Sequence, residues 1–133
     1  MKLESLTPNL MVQNVNDTVH YYQANLGFTL LETVPKEGPL DWAMLKRNEV
    51  VIMFQSKRSM AKDLPRLEKQ NPGGGFTLYV KMEGVHELYY ELLETAEIIS
   101  EIEDTFYGTT EFSITYPNGY VLTFSEVNET NED

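Results

Sequence analysis

The chain has 133 residues, 10 basic and 21 acidic, and a formal net charge of -11. It is long enough for one domain with a real core, and its charge excludes a nucleic-acid binder, which needs a basic stripe to neutralise phosphates. It has no cysteine, which removes disulfides, thiolate metal sites and cysteine nucleophiles. No stretch approaches the length of a membrane span, and the opening Met1-Lys2-Leu3-Glu4-Ser5-Leu6 shows no signal-peptide pattern, so a cytoplasmic location is expected.

Residues 6–13 read as a strand. Asn14 is placed to cap a helix, with Asp17 in its first turn and Val15, Val19, Tyr22 and Leu26 on one apolar stripe. Gly27 is the expected left-handed stop. Phe28 to Val34 reads as a strand, and Trp42–Lys46 with Val50–Gln55 as a hairpin around Arg47-Asn48-Glu49. Residues 57–75 are basic, contain Pro65 and Pro72 and end in Gly73-Gly74-Gly75. They read as a linker with one short helix near Leu64 to Lys69.

The order then repeats. Phe76–Lys81 is a strand, Val85, Leu88 and Leu92 mark a helix, and Ile98–Ile102 is a strand. Glu111–Tyr116 and Tyr120–Glu126 form a hairpin around Pro117-Asn118-Gly119. Asn128–Asp133 reads as a frayed polar tail. At an offset of 68, Leu10 and Val12 fall on Leu78 and Val80, and Tyr21-Tyr22 on Tyr89-Tyr90. At an offset of 70, Asn48 falls on Asn118, Phe54 on Phe124 and Trp42 on Phe112. Two similar units are expected, about 5–56 and 76–127 within a single domain 1–133.

Charge is uneven along the chain. Lys57, Arg58, Lys62, Arg66 and Lys69 are half of the 10 basic residues, whereas 83–104 holds eight acids and no Lys or Arg. The overall sign favours a neutral or cationic ligand, although solubility alone also explains it.

Strand alternation puts Leu10, Val12, Ile52, Phe54, Leu78, Val80, Leu122 and Phe124 toward the helices. The opposite parity carries Thr7, Asn9, Met11, Val51, Met53, Gln55, Gly75, Thr77, Tyr79, Val121, Thr123 and Ser125. Such a mixture of small hydroxyls, amides and apolar groups suits a cavity for a small organic molecule; a dimer interface or a half-wet sheet face fits the same pattern. Trp42 fits either a ligand wall or the core, and Phe112 reads as core. His20 and His86 read as surface helix residues, and Gly73-Gly74-Gly75 lacks the Lys-Ser or Lys-Thr of a phosphate loop.

Thr7-Pro8-Asn9-Leu10-Met11-Val12-Gln13-Asn14-Val15, Tyr21-Tyr22 with Leu26-Gly27-Phe28, and Tyr107-Gly108 and Glu111-Phe112 with Tyr116-Pro117-Asn118-Gly119-Tyr120-Val121-Leu122-Thr123-Phe124 resemble the vicinal oxygen chelate superfamily of glyoxalases, extradiol dioxygenases and bleomycin-resistance proteins. The tail motif is most similar to the small, single-domain bleomycin-resistance-like branch. The resemblance implies an α+β fold of two paired βαβββ units, with curled mixed sheets around a cleft, and a homodimer. It also implies four metal-ligand positions, which fall here on Thr7, Met53, Gly75 (or Phe76) and Thr123. None offers a divalent metal a credible ligand, so neither metal nor other cofactor is expected.

The expected function is non-catalytic binding of a small aromatic or cationic compound by Thr7, Trp42, Met53, Tyr79, Phe106, Tyr107 and Thr123; the resemblance implies that Phe106 and Tyr107 lie on a ligand-covering loop. The alternatives are a lyase- or dioxygenase-like enzyme with an atypical or absent metal site, and a structural or regulatory partner without a small ligand.

Overall fold

The computed structural model describes residues 1–115 and 118–129. The chain divides into two compact units, Met1–Pro72 and Gly73–Asp133.

In the first unit, β1 (Asn9–Val12), α1 (Val15–Leu26), β2 (Thr29–Val34), β3 (Trp42–Arg47) and β4 (Val50–Ser56) are followed by α2 (Lys57–Asp63). The sheet order is β1-β4-β3-β2, with β1 parallel to β4 and the other pairs antiparallel. Asn14 caps α1 by accepting the Asp17 N–H at 2.9 Å, and Gly27 ends it with φ 69; both follow from side-chain capping and the glycine's freedom at positive φ. Val12, Val15, Val19, Tyr22, Leu26, Ala43, Leu45, Ile52 and Phe54 form the core. Burial pushes the Tyr22 hydroxyl far above the ordinary tyrosine value, with a smaller contribution from Tyr21.

The second unit comprises β5 (Thr77–Lys81), α3 (Val85–Leu92), β6 (Glu97–Asp104), β7 (Thr109–Thr115) and β8 (Val121–Val127), in sheet order β5-β8-β7-β6. Val85, Leu88, Leu92, Phe112, Ile114, Leu122 and Phe124 are buried. Phe112 lies against Phe124 and Tyr89, with ring centroids 5.2 and 5.1 Å away, so it is core. The cap of α3 differs from that of α1. Gly84 offers no side chain, and the Glu126 carboxylate on β8 instead accepts the Gly84 and Val85 N–H groups, both at 3.0 Å. Edge strand β6 is bulged at two places, which interrupts the flat edge that would otherwise invite further strand pairing.

Two expectations need correction. The short helix between the units is not at 64–69. It is α2, Lys57–Asp63, nucleated by the Ser56 side chain accepting the Ser59 N–H at 3.1 Å. It ends at Leu64, whose φ -132 and ψ 82 are those of a residue held out of the helical region by the following proline; only a 3-10 turn, Pro65–Leu67, follows.

The repeat offset is also not 68 at the start of each unit. The helices begin at Val15 and Val85, 70 residues apart. Asn9 pairs with Met53 as Tyr79 pairs with Thr123, again an offset of 70. The two Tyr-Tyr pairs are therefore not equivalent: Tyr22 is buried and Tyr90 is exposed. In the third strands the offset becomes 69, because Ala43 pairs with Phe54 as Phe112 does with Phe124. Trp42 thus corresponds to Glu111 rather than to Phe112. The Tyr116 and Pro117 positions of the expected strand and turn lie outside the described residues, as do residues 130–133 of the expected tail.

Candidate functional site

Each sheet covers its helix with one face and presents a second face of opposite parity. In the first unit that second face carries Asn9 and Met11 on β1, Trp42 and Met44 on β3, and Met53 and Gln55 on β4. Its end near Gln55 is occupied by α2. The Gln55 amide donates to Ser59 Oγ at 2.8 Å and to Asp63 Oδ2 at 2.9 Å, and accepts from Asn9 Nδ2 at 2.9 Å. Met60 of α2 is buried, as are Met11 and Gln55 of the sheet. Trp42 and Met53 remain half-buried, and Thr7 precedes β1, also half-buried.

The second unit's corresponding face is more polar. Alternation along β7 puts Phe112 in the core and Glu111 on the second face, in one row with Ser125 of β8 and Glu103 of β6. The Glu111 carboxylate gathers four hydroxyls. Oε2 accepts from Tyr79 at 2.6 Å, Thr109 at 2.9 Å and Ser125 at 3.0 Å. Oε1 accepts from Tyr107 at 3.0 Å. The Tyr79 and Ser125 hydroxyls also lie 2.8 Å apart, so one of them shares its proton between its neighbour and the carboxylate. Among the described residues Oε1 holds a single donor, which leaves it a lone pair for an incoming N–H.

The hairpin turn between β6 and β7 sets this arrangement. Thr105 Oγ1 accepts the Thr109 N–H at 3.1 Å, and the Thr105 N–H donates to the Thr109 carbonyl at 2.8 Å. Gly108, at φ 91, takes the left-handed conformation that the turn requires. The turn brings Tyr107 back to Glu111 and leaves Phe106 at its tip, 99% exposed, edge-on to the Tyr107 ring at 5.0 Å.

Electrostatics follow from the contacts. Burial pushes the Glu111 carboxyl up, but the hydrogen bonds from Tyr79, Thr109, Ser125 and Tyr107 together outweigh it and hold the group below its ordinary value. The bond to Glu111 is the largest influence on the Tyr79 and Tyr107 hydroxyls and raises both above the ordinary tyrosine value. An ionised carboxylate that already accepts several donors is a weak base, and a phenol whose proton is held in this way is a weak acid. Such a cluster suits charge recognition better than proton transfer. Among the described residues no Lys or Arg pairs with Glu111; the one ion pair there is Arg58 with Asp41, at 2.9 Å.

Of the residues singled out from sequence, the structure brings Tyr79 and Tyr107 together on Glu111. Thr123 sits beside them, paired with Tyr79 across β5 and β8 and bonded to Ser113 at 2.7 Å. Thr7, Trp42 and Met53 belong to the first unit. Glu111 was missed. Its signal was present: once Phe112 is assigned to the core, the preceding residue must face the other way.

The four positions that the resemblance gives to a metal do not fit one. Met53 offers a soft thioether, Thr7 and Thr123 uncharged hydroxyls, and Gly75 nothing; Gly75 also lies ahead of β5. The offset of 70 moves that position to Thr77, another hydroxyl. Hard or borderline divalent metals select carboxylate or imidazole sets instead. Among the described residues no three His, Asp or Glu side chains come together as a metal-holding group. His20 and His86 lie on exposed helix positions. No helix among those residues is long and apolar enough to cross a membrane.

Comparison with known proteins agrees with this architecture. A protein of unknown function from Agrobacterium tumefaciens superposes with TM-score 0.79 at 20% identity, covering 95% of each chain. A glyoxalase/bleomycin resistance protein/dioxygenase from Nocardioides gives TM-score 0.77 at 16% identity over 99% of this chain and 89% of its own. TioX from Micromonospora gives 0.72 at 17% identity over 93% and 98%. At these identities the likeness is one of fold. No curated protein sequence matches the chain. The family model described as Glyoxalase/Bleomycin resistance protein/Dioxygenase superfamily matches residues 3–124, and the chain therefore belongs to that superfamily.

Proposed function

We propose that this protein is a non-catalytic binder of a small organic cation with an aromatic or apolar body. The observation that carries the reading is the Glu111 carboxylate, held ionised by hydroxyls from Tyr79, Tyr107, Thr109 and Ser125 with no basic side chain among the described residues to neutralise it. A ligand ammonium or amidinium donates to Oε1 and supplies the missing positive charge. The exposed Tyr79 and Tyr107 rings offer π faces to the same ligand. The net charge of -11 draws cations toward the molecule. Catalysis through a divalent metal is disfavoured by the thioether and hydroxyl groups at the family's ligand positions.

The protein works, in this reading, as a homodimer, as the resemblance to small single-domain relatives implies. Equilibrium sedimentation at micromolar concentration should give twice the chain mass.

A thermal-shift screen tests the binding function. Aromatic amines, each paired with its uncharged analogue (benzylamine with benzyl alcohol, for example), should raise the melting temperature in a saturable way, while the analogues should not. A response to divalent metals instead, with none to the amines, overturns the reading.

A further inference from the structure

A second site of opposite sign lies wholly within the first unit. The end of β4, the start of α2 and the loop before β3 form a groove of about 750 Å³ whose lining includes Asp41, Ser56, Lys57, Arg58, Lys62 and Glu68. This volume is within the range of small-molecule sites. The floor is built from several directions. Asp41 donates its N–H to the Val34 carbonyl and accepts the Ser56 N–H on its own carbonyl, both at 2.8 Å. Its carboxylate accepts the Ser56 hydroxyl at 3.0 Å and Arg58 Nη2 at 2.9 Å. The loop before it is pinned by Asn16, which donates to the Gly38 carbonyl at 3.0 Å and accepts the Leu40 N–H at 2.8 Å.

The charge balance of the lining is unusual for this molecule. Arg58 neutralises Asp41 and engages it through Nη2 alone. Among the described residues the Lys57 ammonium bonds only a neutral amide, Asn71 Oδ1 at 2.8 Å, and Lys62 forms no ion pair. Glu68 is the one acid left to oppose them. Arg66 and Lys69 follow closely in sequence, so half of the 10 basic residues of a chain with net charge -11 lie between 57 and 69.

We propose that this groove binds a compact dianionic group, the phosphate of a small organic phosphate, between Lys57, Lys62 and the free edge of Arg58. Two ammonium groups and a guanidinium on a preformed floor supply the charge and the donors that phosphate oxygens take. The ligand is small because the excess of positive charge is local. Beyond about a Debye length of ~8 Å at physiological salt, a long polyanion meets a protein with twice as many acids as bases.

Inorganic phosphate is the probe. Amide resonances of Ser56–Lys62 are followed in the whole protein by two-dimensional NMR as phosphate is added against constant ionic strength set by chloride. The expected result is a saturable shift confined to these residues and to Asp41, with a millimolar Kd. The double variant Lys57→Gln/Lys62→Gln should weaken it at least tenfold with an unchanged melting temperature, and Arg66→Gln should leave it unchanged. A non-saturable shift, an equal response to chloride, or undiminished binding by a folded double variant overturns the site. If the double variant does not fold, Lys62→Gln alone must still weaken phosphate at least threefold, or the proposal fails. Tighter binding of a single-stranded oligonucleotide than of phosphate overturns the restriction to small ligands.

Discussion

Trp42 and Glu111 occupy the same position in their two units. Trp42 pairs across the sheet with Gln55 as Glu111 pairs with Ser125, and Gln55 and Ser125 are 70 residues apart. The duplicated scaffold therefore places an aromatic ring at this point of one sheet and a carboxylate at the same point of the other. In the first unit the neighbouring Gln55 amide is consumed by Ser59 and Asp63 of α2. In the second the neighbouring Ser125 hydroxyl is directed to Glu111, and no helix corresponding to α2 is present among the described residues.

This cluster predicts a particular pH dependence. Tyr79 and Tyr107 have folded pKa values raised above the ordinary 10.0, so their stabilising contribution is complete below that value and is lost as pH rises through the folded values. Glu111 is lowered from 4.5, so its contribution is present above that value and is lost as pH falls through the folded one. In Glu111→Gln both flanks should flatten, and the two tyrosines should titrate at lower pH by ultraviolet difference absorbance. Unchanged tyrosine titration in the variant would show that the contacts do not persist in solution.

Helix capping is handled differently in the two units, and each cap can be removed alone. Asn14→Ala should destabilise the protein by about 1 kcal/mol, the usual cost of an N-cap. Glu126→Ala should cost about 1–2 kcal/mol, because it leaves two N–H groups at the start of α3 without their acceptor. Urea denaturation measures both. A Glu126→Ala variant as stable as the parent would mean that water replaces the carboxylate.

The turn at Asn118-Gly119 needs positive φ at both residues, 69 and 78. A Cβ on Gly119 would come no nearer than 3.9 Å to the Gly73 Cα, so space is not the obstacle. Gly119→Val should still destabilise by roughly 1–3 kcal/mol through backbone strain. Melting together with the parent would show that the turn relaxes at no cost.

The donor chemistry of Thr7, Met53, Gly75, Thr77 and Thr123 predicts that the purified protein carries no stoichiometric zinc, nickel, manganese or iron. Chelator should leave the melting temperature unchanged, since a metal bound to the native state stabilises it by mass action. One tightly held equivalent, removed together with stability, would contradict the account of these positions.

The strand-helix-three-strand order of both units was legible in the sequence because each signal was local: Asn14 as cap, Gly27 as stop, alternation along Val50–Gln55 and Val121–Glu126. What failed depended on counting between elements. Lys46 and Val51 have four residues between them, and the corresponding Thr115 and Val121 have five. That single extra residue turns the third strand of the second unit by one position, moving Phe112 to the core and Glu111 to the other face. Tyr79 and Thr123 were found from strand parity, and Tyr107 from the covering loop that the resemblance implies. The residue that organises them went without a role because the parity argument was not carried into the third strands, although Phe112 already read as core. The helix α2 was missed for a related reason: Pro65 and the glycines after it suggested a linker, and the cap at Ser56 carried the opposite message.

The most direct test of the central claim is calorimetric titration of an aromatic amine into the parent protein, Glu111→Gln, Tyr79→Ala and Thr123→Trp. The account predicts saturable binding by the parent that weakens with added salt. It predicts a loss of at least tenfold in Glu111→Gln, about tenfold in Tyr79→Ala if its ring stacks on the ligand, and no binding in a folded Thr123→Trp, whose indole would fill the space beside Tyr79. Equal affinity of the parent and Glu111→Gln for the amine would contradict the assignment of Glu111 as the ligand's counter-charge, and with it the reading of this protein as a cation binder.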